Sequence, residues 1–250
     1  MTYNSNPTIP IIIARNPPSA VTYDLSIPHR VTITLPLGST WTSGLHFHQT
    51  HDEYLCLLKG TVRVRLGDEI HILTASNHSP LTPLEIKVPK GVWHEWSRAD
   101  GDVGKDEEVI VVERTDPTDG DKAIFFWNLN GVILKAQRTT KPALAPAWAF
   151  GLALDIWITL NLFAIFHMLD NIPVLLGARE LFIQWGLVSR GSWAEALLSE
   201  LETAWAVVVL WAAEKVIRVL GEGAVRREFT PEKEYKEWMN RRREKGGVGL

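Results

Sequence analysis

The side chains best suited to chemistry lie in His46-Phe47-His48-Gln49-Thr50-His51-Asp52-Glu53, a stretch that runs into an apolar segment and stops at Gly60. Residues two apart on a strand project to one face, so an extended chain here aims the His46 and His48 imidazoles into the same enclosure. Glu53 follows a short polar turn, and the next strand can bring its carboxylate back beside them. A further imidazole is available at His94, inside Val88-Pro89-Lys90-Gly91-Val92-Trp93-His94. Three neutral imidazoles and one carboxylate suit a divalent transition metal such as Fe, Mn, Ni, Zn or Cu better than Ca or Mg, and leave coordination positions open for a reactant. His51 titrates near neutrality when unperturbed, which makes it a candidate proton shuttle; the plainer reading is a solvated turn histidine. Tyr54, Trp93 and Trp96 either line a substrate cavity or pack a core, and Cys56, between Leu55 and Leu57, reads as a small buried hydrophobe.

The elements that must position these groups are short strands. Val21–Leu25, Val31–Leu35, Val62–Leu66 and Ile70–Ile72 alternate apolar and polar residues, the pattern of strands with one buried face. Leu66-Gly67-Asp68-Glu69 has glycine at the first central position of a tight hairpin turn. Glu108–Glu113 predicts a late strand, and residues 1–18, with four prolines around Ile11-Ile12-Ile13, predict an extended arm with one edge strand. No helical period interrupts the strands, which points to a sandwich or jelly roll and away from a βαβ fold.

Beyond Asp116-Pro117-Thr118-Asp119-Gly120 the pattern changes. Asp121 is placed to cap a helix from about Lys122 to Gln137, and 139–146 reads as a linker. Ala147 to Leu169 carries one formal charge, Asp155, over a length that can cross about 30 Å of hydrocarbon as a helix. A second helix is expected from about Trp193 to Leu220, acidic early and basic late, as the helix dipole favours. Residues 147–220 are therefore expected to attach the protein to a membrane, or to pack on each other or form a homodimer interface. If they form a membrane hairpin, the eight basic residues of 226–245 leave both termini cytosolic. Arg226-Arg227 and Arg241-Arg242-Arg243 can touch anionic lipid or form a solvated face. The expected division is an arm (1–19), a barrel (20–115), a helix and linker (116–146), a hydrophobic helical region (147–225) and a charged tail (226–250).

Bulk properties exclude some partners. A net charge of −3 gives no basic field to hold nucleic acid, and one cysteine allows no intrachain disulfide, consistent with a reducing, intracellular location. No secretory signal is expected in the first residues. Motifs for ATP, dinucleotides or flavin are missing from the sequence, so a redox role would rest on the metal. His29, His71, His78 and His167 have no partners in the pattern and are read as structural.

The spacing His46-x-His48-x4-Glu53-x6-Gly60, followed by Pro89-x-Gly91-x2-His94, resembles the two signature motifs of the cupin superfamily over roughly residues 20–115. The resemblance implies a small antiparallel jelly-roll barrel, mainly β, with His46, His48, Glu53 and His94 as ligands of a divalent metal. Thr40, Pro83 and Arg98 stand where that pattern has Gly, Gly and Asn; these positions shape turns and bind no metal. A narrower likeness joins the barrel to Phe125-Phe126-Trp127-Asn128-Leu129, Asp170-Asn171-x-Pro173 and Glu228-Phe229-Thr230-Pro231. That arrangement is similar to fungal cupin-domain oxidoreductases of polyketide gene clusters, including salicylaldehyde-type pathways. It implies a metal-dependent oxidoreductase acting on a small hydrophobic intermediate of secondary metabolism. The alternatives are a non-redox isomerase, cyclase or decarboxylase, and a non-catalytic, membrane-associated ligand-binding protein.

Overall fold

A computed structural model describes residues 9–75, 84–99, 107–143 and 146–245, so Pro83 and His78 lie outside the described residues. Among the described residues ten strands precede the first helix: β1 (Ile12–Arg15), β2 (Val21–Asp24), β3 (Arg30–Leu35), β4 (His46–Phe47), β5 (Asp52–Lys59), β6 (Thr61–Leu66), β7 (Glu69–Thr74), β8 (Leu84–Val88), β9 (His94–Arg98) and β10 (Val109–Asp116). Then come α1 (Asp121–Arg138), α2 (Ala147–Met168), β11 (Ile172–Pro173), α3 (Ala178–Gln184), α4 (Trp193–Val219) and α5 (Glu232–Lys245). The strands form two antiparallel sheets, β1-β2-β3-β10-β5-β8 and β11-β4-β9-β6-β7. Together they make a jelly-roll barrel with a C-terminal helical extension.

Alternation sets which side chains enter the barrel. On β3, Val31, Ile33 and Leu35 are fully buried while the residues between them face outward. On β10 the inward set is Val109, Val111, Glu113 and Thr115, so the pleat that buries two valines carries a carboxylate inward as well. The β6–β7 hairpin turns at Gly67 with φ 61°, with Leu66 opposite Glu69 as the sequence suggests. Gly60 has φ 82°, and a Cβ there would stand 2.6 Å from the Glu108 carbonyl oxygen, so both backbone conformation and close approach require glycine.

The helical half is built into the barrel. α1 buries Ile124, Phe125, Phe126 and Trp127 in the same core as the strands. Gly120, at φ 82°, occupies the N-cap position; Asp121 is the first helical residue and accepts a hydrogen bond from Arg241 at 2.7 Å, so the expected Asp121 cap is replaced by a tertiary ion pair. The last turn of α2 sends Ala164, Ile165 and Leu169 inward, and β11 extends the five-stranded sheet by pairing Ile172 with Phe47 and Pro173 with His46. α4 packs along α2 and buries Ala206, Leu210, Ala213 and Ile217. Arg226, read from sequence as either a lipid contact or part of a solvated face, is buried instead, bonded to Asn161 and paired with Glu222 at 2.9 Å.

α2 and α4 are long and apolar enough to cross a membrane, by length and composition alone. Their outer faces are apolar and open: Trp148 is 75% exposed and Trp193 79%, and Leu152, Ile156, Leu201, Trp205, Val208 and Trp211 are exposed too.

Candidate metal centre

β4, β5 and β9 bring the four candidate ligands together. His46 lies opposite His94 in the β4–β9 pair, His48 follows β4, and Glu53 is the second residue of β5. The ligand atoms of His46, His48, Glu53 and His94 all lie within 4.8 Å of one another, and all four residues are buried. The His46 and His94 ring centroids are 4.1 Å apart, and His48 stands 5.1 Å from His46 and 5.3 Å from His94.

Each imidazole is held from behind by a backbone carbonyl. Nδ1 of His46 bonds to Gly44 O at 2.7 Å, Nδ1 of His94 to Val92 O at 3.0 Å, and Nδ1 of His48 to Asp170 O. With a carbonyl as partner, Nδ1 must carry the proton, so every Nε2 is an unprotonated lone pair available to the cluster. Nε2 of His94 lies 2.8 Å from Glu53 Oε2, whereas Nε2 of His48 is buried and has no hydrogen-bond partner among the described residues. An orphaned buried nitrogen is costly unless something fills the space it faces. Three fixed imidazole lone pairs, one of them orphaned, beside a carboxylate fit a divalent metal ion.

The surrounding charges keep the ligands in their binding forms. Burial, with the repulsion between His46 and its neighbours His94 and His48, holds His46 well below the usual histidine value and therefore neutral. Burial opposes ionisation of Glu53, but the adjoining Lys122 ammonium outweighs it and holds the carboxyl well below its ordinary range. Lys122 bonds Glu53 Oε1 and lies 2.8 Å from Glu113 Oε2, and Glu113 in turn accepts from Trp96 Nε1 at 2.7 Å. Burial raises Glu113, and the two carboxylates together raise Lys122 in spite of its own burial.

His51 does not face the cluster with a free nitrogen. Its Nδ1 lies 2.7 Å from Asp170 Oδ2 and its Nε2 3.1 Å from Asp119 Oδ2, and these hydrogen bonds push it up to about 9. A cation held between two carboxylates is a latch, with both ring nitrogens engaged. The Asp170 carboxylate also accepts from Gln49 N at 2.6 Å, Thr50 N at 2.9 Å and Thr50 Oγ1 at 2.6 Å. Trp96 is core, Trp93 packs on Phe47 at 4.6 Å, and Tyr54 lies under the Arg114 guanidinium at 3.8 Å, so none of the three lines the cavity beside His46.

That cavity, of about 150 Å³, lies between His46 and α1, and a smaller one of about 20 Å³ lies on the His48 side; Lys122, Phe125 and Asn171 line both. Sequence reasoning named none of Lys122, Glu113, Asp119 and Asp170 as site residues. The signals were a lysine inside the apolar run of α1, an inward acid on a valine strand, and the Asp170-Asn171-x-Pro173 turn.

No family model and no curated protein matches the chain. Among solved structures it is similar to the capsular polysaccharide assembling protein CapF from Staphylococcus aureus, at 17% identity and a TM-score of 0.31 over 44% of this chain and 32% of that one. It is similar to KdgF from Halomonas sp. at 15% identity and TM-score 0.31, covering 41% of this chain and 85% of that one. A cupin 2 domain-containing protein from Halorhodospira halophila has 20% identity and TM-score 0.27, over 36% and 54% of the two chains. The chain spans about a third of the CapF length. Likeness at this level says nothing of activity. The barrel topology and the ligand pattern of the chain itself are what fit a metal-binding cupin.

Proposed function

We propose that this protein is a metal-dependent enzyme that holds one divalent ion on His46, His48, Glu53 and His94 and acts as an oxidoreductase on a small hydrophobic molecule. The polyketide-derived intermediates to which the sequence resemblance points are the substrate kind tested first. One observation carries the reading: three buried imidazoles have Nδ1 tied to carbonyls, and the Nε2 of His48 has no hydrogen-bond partner among the described residues. A bound divalent ion would supply Lewis-acid polarisation of a substrate oxygen and, for Fe or Mn, redox capacity. The chain's own residues fix the ligand rings, keep Glu53 ionised through Lys122, and line a cavity against His46.

A second reading, a non-redox isomerase, cyclase or decarboxylase, is favoured by the Lys122–Glu113 pair, because an ammonium and a carboxyl on the cavity wall are groups that hold and move protons. Supplying the loaded protein with candidate intermediates under air and under argon separates the two. Oxidoreduction that uses dioxygen requires air, equal turnover in both atmospheres selects the second reading, and no turnover in either leaves an accessory binding protein.

We also propose that the outer face of the α2–α4 pair rests on a lipid surface, with the barrel on the cytosolic side. Supporting this are the exposed tryptophans, aromatic rings of the kind found at bilayer interfaces, and the exposed Lys215 and Arg218 beside them. α2 and α4 pack chiefly on each other, and Ala164, Ile165, Ala206 and Leu210 fix the pair against the barrel core, which suits lying on a bilayer better than spanning one. Flotation with anionic vesicles is the expected result; a stable dimer that ignores vesicles would assign the face to a second copy.

A further inference from the structure

The cavity beside His46 has a lining that metal binding does not require. Its walls include five aromatic side chains, Tyr23, Trp41, Phe125, Phe126 and Phe166, and its volume is about 150 Å³. An apolar protein cavity of about that volume holds one benzene ring. The Trp41 indole donates its N–H to the Tyr23 hydroxyl at 2.8 Å, so that donor is already used within the wall. The polar part of the lining is His46, Glu113 and Lys122, together with Arg15, Thr42, Ser43 and Asn171. Lys122 has three N–H donors: one goes to Glu53 and one to Glu113, and among the described residues the third has no oxygen partner. A buried ammonium with a donor to spare on a cavity wall is a place for an oxygen atom.

We propose that the cavity takes a single aromatic ring bearing an oxygen substituent, with the ring among the five aromatic walls and the oxygen on the third N–H of Lys122. Lys122 is then a substrate-contacting residue. The assignment rests on the metal-site reading only in that it puts the oxygen side of the ring next to His46. A hexose of similar size is disfavoured, because the hydroxyls that meet the five aromatic walls would lose hydrogen bonds that water supplies.

The test uses the full chain stripped of metal by chelation, with phenol, benzyl alcohol, toluene and glucose as probes in titration calorimetry and ligand-observed NMR. Phenol and benzyl alcohol are expected to bind at one site, toluene about ten-fold more weakly because it lacks the charge-assisted hydrogen bond, and glucose not at all. Lys122→Met should erase the advantage of phenol over toluene. That change also removes the counter-charge of two buried carboxylates, so Leu129→Trp, which fills the cavity and touches neither, is the second variant. It should abolish ring binding with metal uptake unchanged. Equal binding of phenol and toluene by the native chain, ring binding that survives Leu129→Trp, or glucose binding tighter than phenol would each overturn the proposal. Metal uptake measured on the same samples keeps the two claims apart: ring binding by a chain that takes up no metal defeats only the metal site, and uptake without ring binding defeats only this proposal.

Discussion

Replacing Asp170 by alanine perturbs the point where the helical half reaches the metal centre. Its carboxylate accepts from two backbone amides, the Thr50 hydroxyl and the His51 ring at 2.6 to 2.9 Å, and its carbonyl holds Nδ1 of His48. Hydrogen bonds to a charged group are worth about 1.5–3 kcal/mol each, but Gln49 and Thr50 are exposed and water replaces much of theirs, so a net loss of about 3 kcal/mol is expected. Asp170 also has φ 55°, and alanine in that left-handed conformation adds about 1 kcal/mol. Asp170→Gly relieves the backbone term and loses the same bonds, so its destabilisation should be smaller by that amount. Because the His48 ring loses its anchor when the turn shifts, metal affinity should fall about 10- to 100-fold in both variants. Urea unfolding gives the first quantity and chelator competition the second. A stability change below about 0.5 kcal/mol together with unchanged metal affinity would refute the coupling between turn and site.

The His51 latch gives a pH dependence. His51 is raised from 6.5 to about 9, so its contribution is fully present below pH 6.5 and is lost as pH rises through 9; its upper bound is about 3 kcal/mol. Asp119 and Asp170 are lowered from 3.8, so the same contacts, seen from the carboxylates, are intact above that pH and fail as pH falls through the depressed values. Unfolding measured from pH 6 to 10 should show this loss, and His51→Gln should flatten the curve; a native curve already flat over that range contradicts the latch. Gly60→Ala should lower stability by about 2 kcal/mol or more, since it combines a left-handed φ with a carbonyl 2.6 Å from the new Cβ, and a melting temperature within a degree of the native one would contradict the geometry.

The ligand set was legible because it obeys local rules. His46 and His48 are two residues apart at a strand edge, Glu53 opens the next strand, and His94 belongs to a motif of its own. The latch and the ammonium were not legible, since their partners are remote: Lys122 is 69 residues from Glu53, and Asp170 is 119 from His51. Which inward-facing polar groups meet depends on how α1 and the α2–β11 turn close over the barrel, and no spacing in the chain encodes that. Arg226 shows the same limit, because a basic pair near a chain end looks solvated until α2 packs over it. The helix lengths were readable from composition, while the packing of Ala164, Ile165, Ala206 and Leu210 against the core was not.

The central claim is a metal bound by His46, His48, Glu53 and His94, and the most direct measurement is the metal content of the purified full chain beside His48→Ala, His94→Ala and Glu53→Gln. About one divalent ion per native chain is expected, most of it lost in both alanine variants, and a weaker but measurable site in Glu53→Gln, which removes charge with little change in size. Occupancy unchanged in both His48→Ala and His94→Ala, or a native chain that takes up no transition metal, would contradict it.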